Sequence, residues 1–215
     1  MRASPACVVM AAATIILAGG HLGADNTGKD PLSTFTAEQR QKLIKGEPVY
    51  RSFAEDTEET MKGSGAAYII IGAPIEKCME IFLDFEAEHE YFPRMKISKV
   101  IRETDEGKVM YKVLDMRLID VEYTHLMTVD EKEHRVSFHT IPGEPNTIDY
   151  SEGYFDFDRI DDGRTLFSYH LGKVDTGFYV PAFIRDYIQS KDLPDIAVNV
   201  KKRVESGGKW KEEGP

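Results

Sequence analysis

From residue 97 to residue 175 the chain repeats one signal. Apolar and polar residues alternate with a period of two over 97–103, 108–116, 121–130, 135–141, 150–160 and 166–175. That period sends successive side chains to opposite faces of an extended backbone, so each stretch predicts a half-buried β-strand. Turn-forming runs separate the stretches: Asp105-Glu106-Gly107, residues 130–134, residues 142–146 and Asp161-Asp162-Gly163. Strands in series joined by short turns predict an antiparallel meander. The apolar run AAYIIIGA at 66–73 predicts one buried strand ahead of them, making seven.

Helical spacing brackets this region. Pro74 opens a helix whose apolar residues Ile75, Cys78, Met79, Phe82 and Phe85 fall on one face. A second short helix follows Asp84 and ends where Pro93 blocks continuation. After Gly177 a long amphipathic helix is expected over 180–205, with a kink or break at Leu193-Pro194 and a stop at Gly207-Gly208. Residues 207–215 read as a flexible tail. The elements define an α+β chain: a seven-stranded curved antiparallel sheet wrapped around a long C-terminal helix, with two short helices after the first strand. A sheet gripping a helix closes on it incompletely, which leaves room for a cavity between them.

Residues 1–24 differ from the rest. Arg2 precedes the apolar run ACVVMAAATIIL at 6–17, and small residues follow. This is the pattern of a secretory signal peptide. The run is short for a transmembrane span, which needs roughly 20 apolar residues, so a cleaved signal is expected over a retained anchor. The mature protein is then exported and keeps one cysteine, Cys78. Residues 25–62 read as an N-terminal extension: a linker over 25–34, a short helix over 36–45 with Thr36 as N-cap and Gln39 three residues on, a possible strand at 48–53, and an acidic loop at 55–62. The compact domain is expected over 63–206.

Composition narrows the function. The 215 residues carry 37 acids against 27 bases, a net charge of −10, which argues against nucleic acid as a partner. Two cysteines exclude a disulfide scaffold and a cysteine-based zinc site. His125, His139 and His170 lack metal-ligand spacing, so neither a metal nor a cofactor is expected. No Ser-His-Asp, Cys-His or glycine-rich phosphate motif appears.

Strand parity gives a candidate lining: Tyr111 and Val113; Tyr123, His125 and Met127; Phe138; Phe155 and Phe157; Tyr169; and, from the helix, Phe183 and Tyr187. These side chains either pack as a core or wall a cavity suited to a flat or flexible apolar ligand. His125 lies on the apolar parity. It is a satisfied core histidine, a hydrogen-bond partner for a ligand, or an acid–base group. Arg117, between Asp115 and Asp120 at a hairpin tip, either meets an anionic headgroup at the cavity mouth or is solvated.

The domain resembles the START-like, helix-grip SRPBCC superfamily, near its polyketide cyclase/dehydrase and coenzyme Q-binding subgroup, in an exported bacterial form. The residues that carry the resemblance run in order: Ile71-Gly72-Ala73-Pro74-Ile75-Glu76-Lys77, Asp84-Phe85-Glu86, Tyr91-Phe92-Pro93-Arg94-Met95, Val113-Leu114-Asp115-Met116, Gly153-Tyr154-Phe155-Asp156-Phe157, Asp161-Asp162-Gly163-Arg164-Thr165, Val180-Pro181 and Asp192-Leu193-Pro194. The resemblance implies a cavity for lipids, sterols, quinones or polyketides, and places Phe92 and Met95 near its entrance. It supplies no universal catalytic residue. Three readings follow: a periplasmic carrier of one hydrophobic small molecule, in transient contact with membranes; a cyclase/dehydratase-type enzyme using His125 with Tyr123 or Tyr111; or an interaction domain whose cavity is filled by side chains.

Overall fold

A computed structural model describes residues 30–52, 65–116, 119–177 and 191–213. The signal segment, the loop at 55–62, Arg117, Phe183, Tyr187 and the first part of the expected long helix, 180–190, lie outside the described residues.

Eight strands form one antiparallel sheet in the order β1-β2-β8-β7-β6-β5-β4-β3. They are β1 Val49–Ser52, β2 Gly65–Ile71, β3 Met95–Glu103, β4 Lys108–Asp115, β5 Asp120–Asp130, β6 Arg135–Thr140, β7 Tyr150–Asp161 and β8 Arg164–Asp175. The expected sheet had seven. The eighth strand is β1, from the N-terminal extension, which pairs along β2 from Val49 opposite Tyr68 to Ser52 opposite Gly65.

The extension is therefore part of the fold. Its helix α1 (Ala37–Ile44) begins with a complete capping box, Thr36 Oγ1 accepting from the Gln39 amide and Gln39 Oε1 accepting from the Thr36 amide. Leu43, Phe35 and Val49 pack on the convex side of β2 against Ala66, Tyr68 and Ile70. On the concave side Ala67, Ile69 and Ile71 join the main core. Covered on both faces, β2 is buried at every position, which is why it reads as an unbroken apolar run.

Helix α2 (Ile75–Phe82) buries Ile75, Cys78, Met79 and Phe82, with Pro74 as its N-cap rather than its first helical residue. A 3-10 turn (Phe85–Ala87) and helix α3 (Glu88–Tyr91) follow. Phe82 is the hub of the core: its ring centroid lies 4.8 Å from Phe155, 5.2 Å from Phe157 and 5.9 Å from Phe167. Helix α4 (Leu193–Glu205) begins at the Leu193-Pro194 step directly after a π-helical turn at 191–192, and buries Leu193, Ala197, Val200 and Val204 on the sheet. The segment after it is not frayed. The Glu212 amide donates to Glu90 O at 2.8 Å, Lys211 pairs with Glu90 at 2.7 Å, and Arg203 donates to Trp210 O at 2.8 Å, so 207–213 are tied to α3 and α4.

Candidate functional site

The pairing register fixes which side chains share the concave face. Tyr123, His125 and Met127 of β5 stand opposite Lys112, Met110 and Lys108 of β4, and Met127 stands opposite Phe138 of β6. Across β7 and β8, Phe155 pairs with Tyr169, Phe157 with Phe167 and Gly153 with Leu171. Seven sequence-assigned lining residues thus meet on one face: Tyr123, His125, Met127, Phe138, Phe155, Phe157 and Tyr169.

Tyr111 and Val113 do not. They pair with Thr124 and Glu122 and occupy the convex face, so the lining assigned to β4 is corrected to Met110, Lys112 and Leu114. Val109 and Met110 are both buried, as are Lys112 and Val113. With both faces covered, alternation on β4 carries no inside–outside signal. Phe92 and Met95, placed near the entrance by resemblance, are buried members of the main core. His139 is exposed on the convex side, as expected, and His170 is half-buried there.

The concave face is closed at one end and open at the other. Ile69, Ile71, Phe157 and Phe167 are sealed beneath α2 and α4. Tyr169 and Leu171, two and four residues beyond Phe167 on β8, and Leu114 and Val121, paired across β4 and β5, remain partly accessible. Register puts all four at the same end. Gly153 helps shape that end, because a Cβ there would lie 2.5 Å from the Phe138 ring and 2.3 Å from His170 O.

Rings continue across this wall. Tyr123 lies 4.5 Å from His125, which stacks on Phe138 at 4.9 Å; Phe138 is 5.6 Å from Phe155, and Phe155 stacks on Tyr169 at 4.6 Å. His125 Nε2 is 2.8 Å from Ser151 Oγ, which is 3.1 Å from Thr140 Oγ1. Burial, then the Lys112 charge, then His139 hold His125 well below the usual imidazole range, so it is neutral at pH 7. Burial first, with the Glu88 charge also contributing, pushes the Tyr123 and Tyr169 hydroxyls up.

An ion pair missed by sequence reasoning lies at the β4 side of the wall. Lys112 Nζ bonds Glu88 Oε2, and both side chains are at most 5% exposed. Ser98 Oγ sits 3.4 Å from the same carboxylate oxygen. Glu88 Oε1 is buried with no partner among the described residues. The available signal was spacing: Glu88 falls three residues after Phe85 and three before Tyr91, on the apolar stripe of its helix. Cys78 is sealed, and burial pushes its thiol up to about 11, as suits a small core hydrophobe. Among the described residues no cluster of metal-ligating side chains occurs and no helix is long and apolar enough to cross a membrane. The arrangement offers apolar and aromatic surface with a few uncharged hydrogen-bonding groups.

A curved antiparallel sheet closing on a C-terminal helix, with short helices after its first long strand, defines the START-like helix-grip fold, and this chain has it. A StAR-related lipid transfer protein from Xanthomonas axonopodis superposes with a TM-score of 0.59 at 11% identity, over 73% of this chain and 98% of that one. A START superfamily protein from Mycobacterium smegmatis gives 0.57 at 16% identity, over 66% and 97%. The Zhui aromatase/cyclase from a Streptomyces species gives 0.54 at 16% identity, over 67% and 97%. No protein-family model and no curated protein sequence matches the chain.

Proposed function

We propose that the protein binds one hydrophobic small molecule, a lipid, sterol, quinone or similar compound, at the open end of the concave face. The observation that carries this reading is the uneven burial of a continuous apolar and aromatic wall: Phe157 and Phe167 are sealed while Tyr169 and Leu171 on the same face are not. A ligand covering that end stabilises the complex by roughly 25 cal/mol per Å² of apolar surface buried, before the costs of association. The similar structures include a protein named for lipid transfer, which accords with this reading. The signal-like residues 1–24 extend it: the protein is exported, carries its cargo through the periplasm and touches membranes transiently to load and unload.

A second reading is a cyclase/dehydratase-type enzyme. The favouring observation is His125, neutral and held by Ser151 on the wall beside the Tyr123 ring. His125→Ala separates the two: a carrier keeps most of its affinity for an apolar ligand, whereas an enzyme loses turnover far more than binding.

The direct test is native mass spectrometry of protein purified from the exported fraction, followed by solvent extraction. The binding reading expects a reproducible added mass that extracts as one chemical class. Bare protein mass, with no uptake from an added lipid extract, contradicts it.

A further inference from the structure

Three polar atoms on the open half of the wall lack a partner among the described residues. Tyr123 Oη, Tyr169 Oη and the second ring nitrogen of His125, Nδ1, make no hydrogen bond among the described residues, although Tyr123 and His125 are buried and Tyr169 is half-buried. All three belong to the run of rings that joins Tyr123 through His125 and Phe138 to Tyr169. A polar atom at an apolar wall loses hydration without compensation unless something bonds to it. Here, no described residue does so.

We propose that Tyr123, His125 and Tyr169 form a polar subsite that takes an uncharged hydrogen-bonding group, a carbonyl or hydroxyl, of an otherwise apolar ligand. The proposal rests on the binding reading above and specifies its chemistry. Each tyrosine hydroxyl can donate or accept, and a neutral imidazole nitrogen does one or the other according to tautomer. None of the three carries a charge at neutral pH, since burial raises both hydroxyls and depresses the imidazole. Among the described residues, the charged side chains that act on these groups, Lys112 and Glu88, are paired with each other: Lys112 Nζ bonds Glu88 Oε2 and its other contact is Met127 Sδ at 4.0 Å. An ionised ligand headgroup would lose its hydration and find no counter-charge. A carbonyl or hydroxyl loses less and is matched by the groups present.

The experiment uses four probes with the same sixteen-carbon chain: hexadecane, hexadecanol, hexadecan-2-one and hexadecanoate. Each is titrated into the purified full chain at pH 7.5. The alcohol and ketone are expected to bind about tenfold or more tighter than the alkane and than the carboxylate, the scale of one or two buried hydrogen bonds. Tyr123→Phe and Tyr169→Phe should each shrink the alcohol-to-alkane ratio by about three- to tenfold, while Tyr154→Phe on the convex face leaves it unchanged. The carbonyl stretch of the bound ketone should sit below its value in hydrocarbon and move back in the two subsite variants. Equal affinity for all four probes, or a carboxylate preferred over the alcohol, overturns the subsite while leaving binding intact. No uptake of any probe overturns the binding reading and the subsite with it.

Discussion

Lys112 and Glu88 are two charges placed where the strand and helix patterns call for apolar groups. Removing one partner leaves the other charged and sealed, which costs about 3–5 kcal/mol. Lys112→Met alone is therefore expected to lower the denaturation midpoint sharply, and Glu88→Gln likewise. The double variant Glu88→Leu/Lys112→Met should recover to near the parent, because no uncompensated charge remains. Losses that simply add in the double variant would show that the two residues do not act as a pair. His125 was legible from the sequence because β5 has its apolar set on one parity, and the histidine falls within it. Lys112 was not, because on β4 the convex-side residues Val109 and Val113 are as buried as Met110. The polar subsite was legible only in part: parity brings Tyr123, His125 and Tyr169 to one face, but which of their atoms lack partners depends on three-dimensional packing.

At the scale of elements, seven strands and three helix starts were readable because each rests on a local signal, such as alternation, an unbroken apolar run, a capping box or a proline. β1 offered a strand-like segment but no sign of its partner, since four residues cannot specify which edge they join. The consequence is that the N-terminal extension braces the convex face of β2. Leu43 is fully buried there, with Tyr68 and Ile70 in the same cluster. Leu43→Ala is expected to destabilise the whole domain by about 2–5 kcal/mol, in one cooperative denaturant transition read by circular dichroism. A transition confined to a minor amplitude, with the main midpoint unmoved, would mean that the extension folds apart from the sheet.

For the whole molecule, the buried His125 and the half-buried His170 contribute to the response to acid. His125 is held well below its ordinary range by burial, the Lys112 charge and His139. His170, stacked on Tyr154 at 4.4 Å and edge-on to Tyr68 at 5.4 Å, is lowered mainly by burial. A depressed folded value means that the unfolded chain binds more protons once pH drops below the unfolded value near 6.5. Stability contributed by the neutral rings is complete above that pH and is lost below it, at up to about 1.4 kcal/mol per pH unit for each ring. Asp192 opposes this, because burial raises it to about 6 from 3.8 and the folded state then gains from its protonation. Asp158 is also raised by burial and opposes the rings, so the His125 share is read by difference: His125→Gln should lessen the fall in melting temperature between about pH 7 and about pH 5. An unchanged slope in this variant would mean that His125 is not the group responsible.

The account depends on the open end of the concave face being where a ligand sits. The most direct measurement is uptake of a fluorescent apolar probe by the parent and by Leu171→Trp, which fills that end, with Tyr154→Ala on the convex face as control. The expected result is loss of most probe binding in Leu171→Trp, with the fold intact by circular dichroism, and little change in the control. Undiminished binding in Leu171→Trp, or equal loss in both variants, would contradict a site on this face.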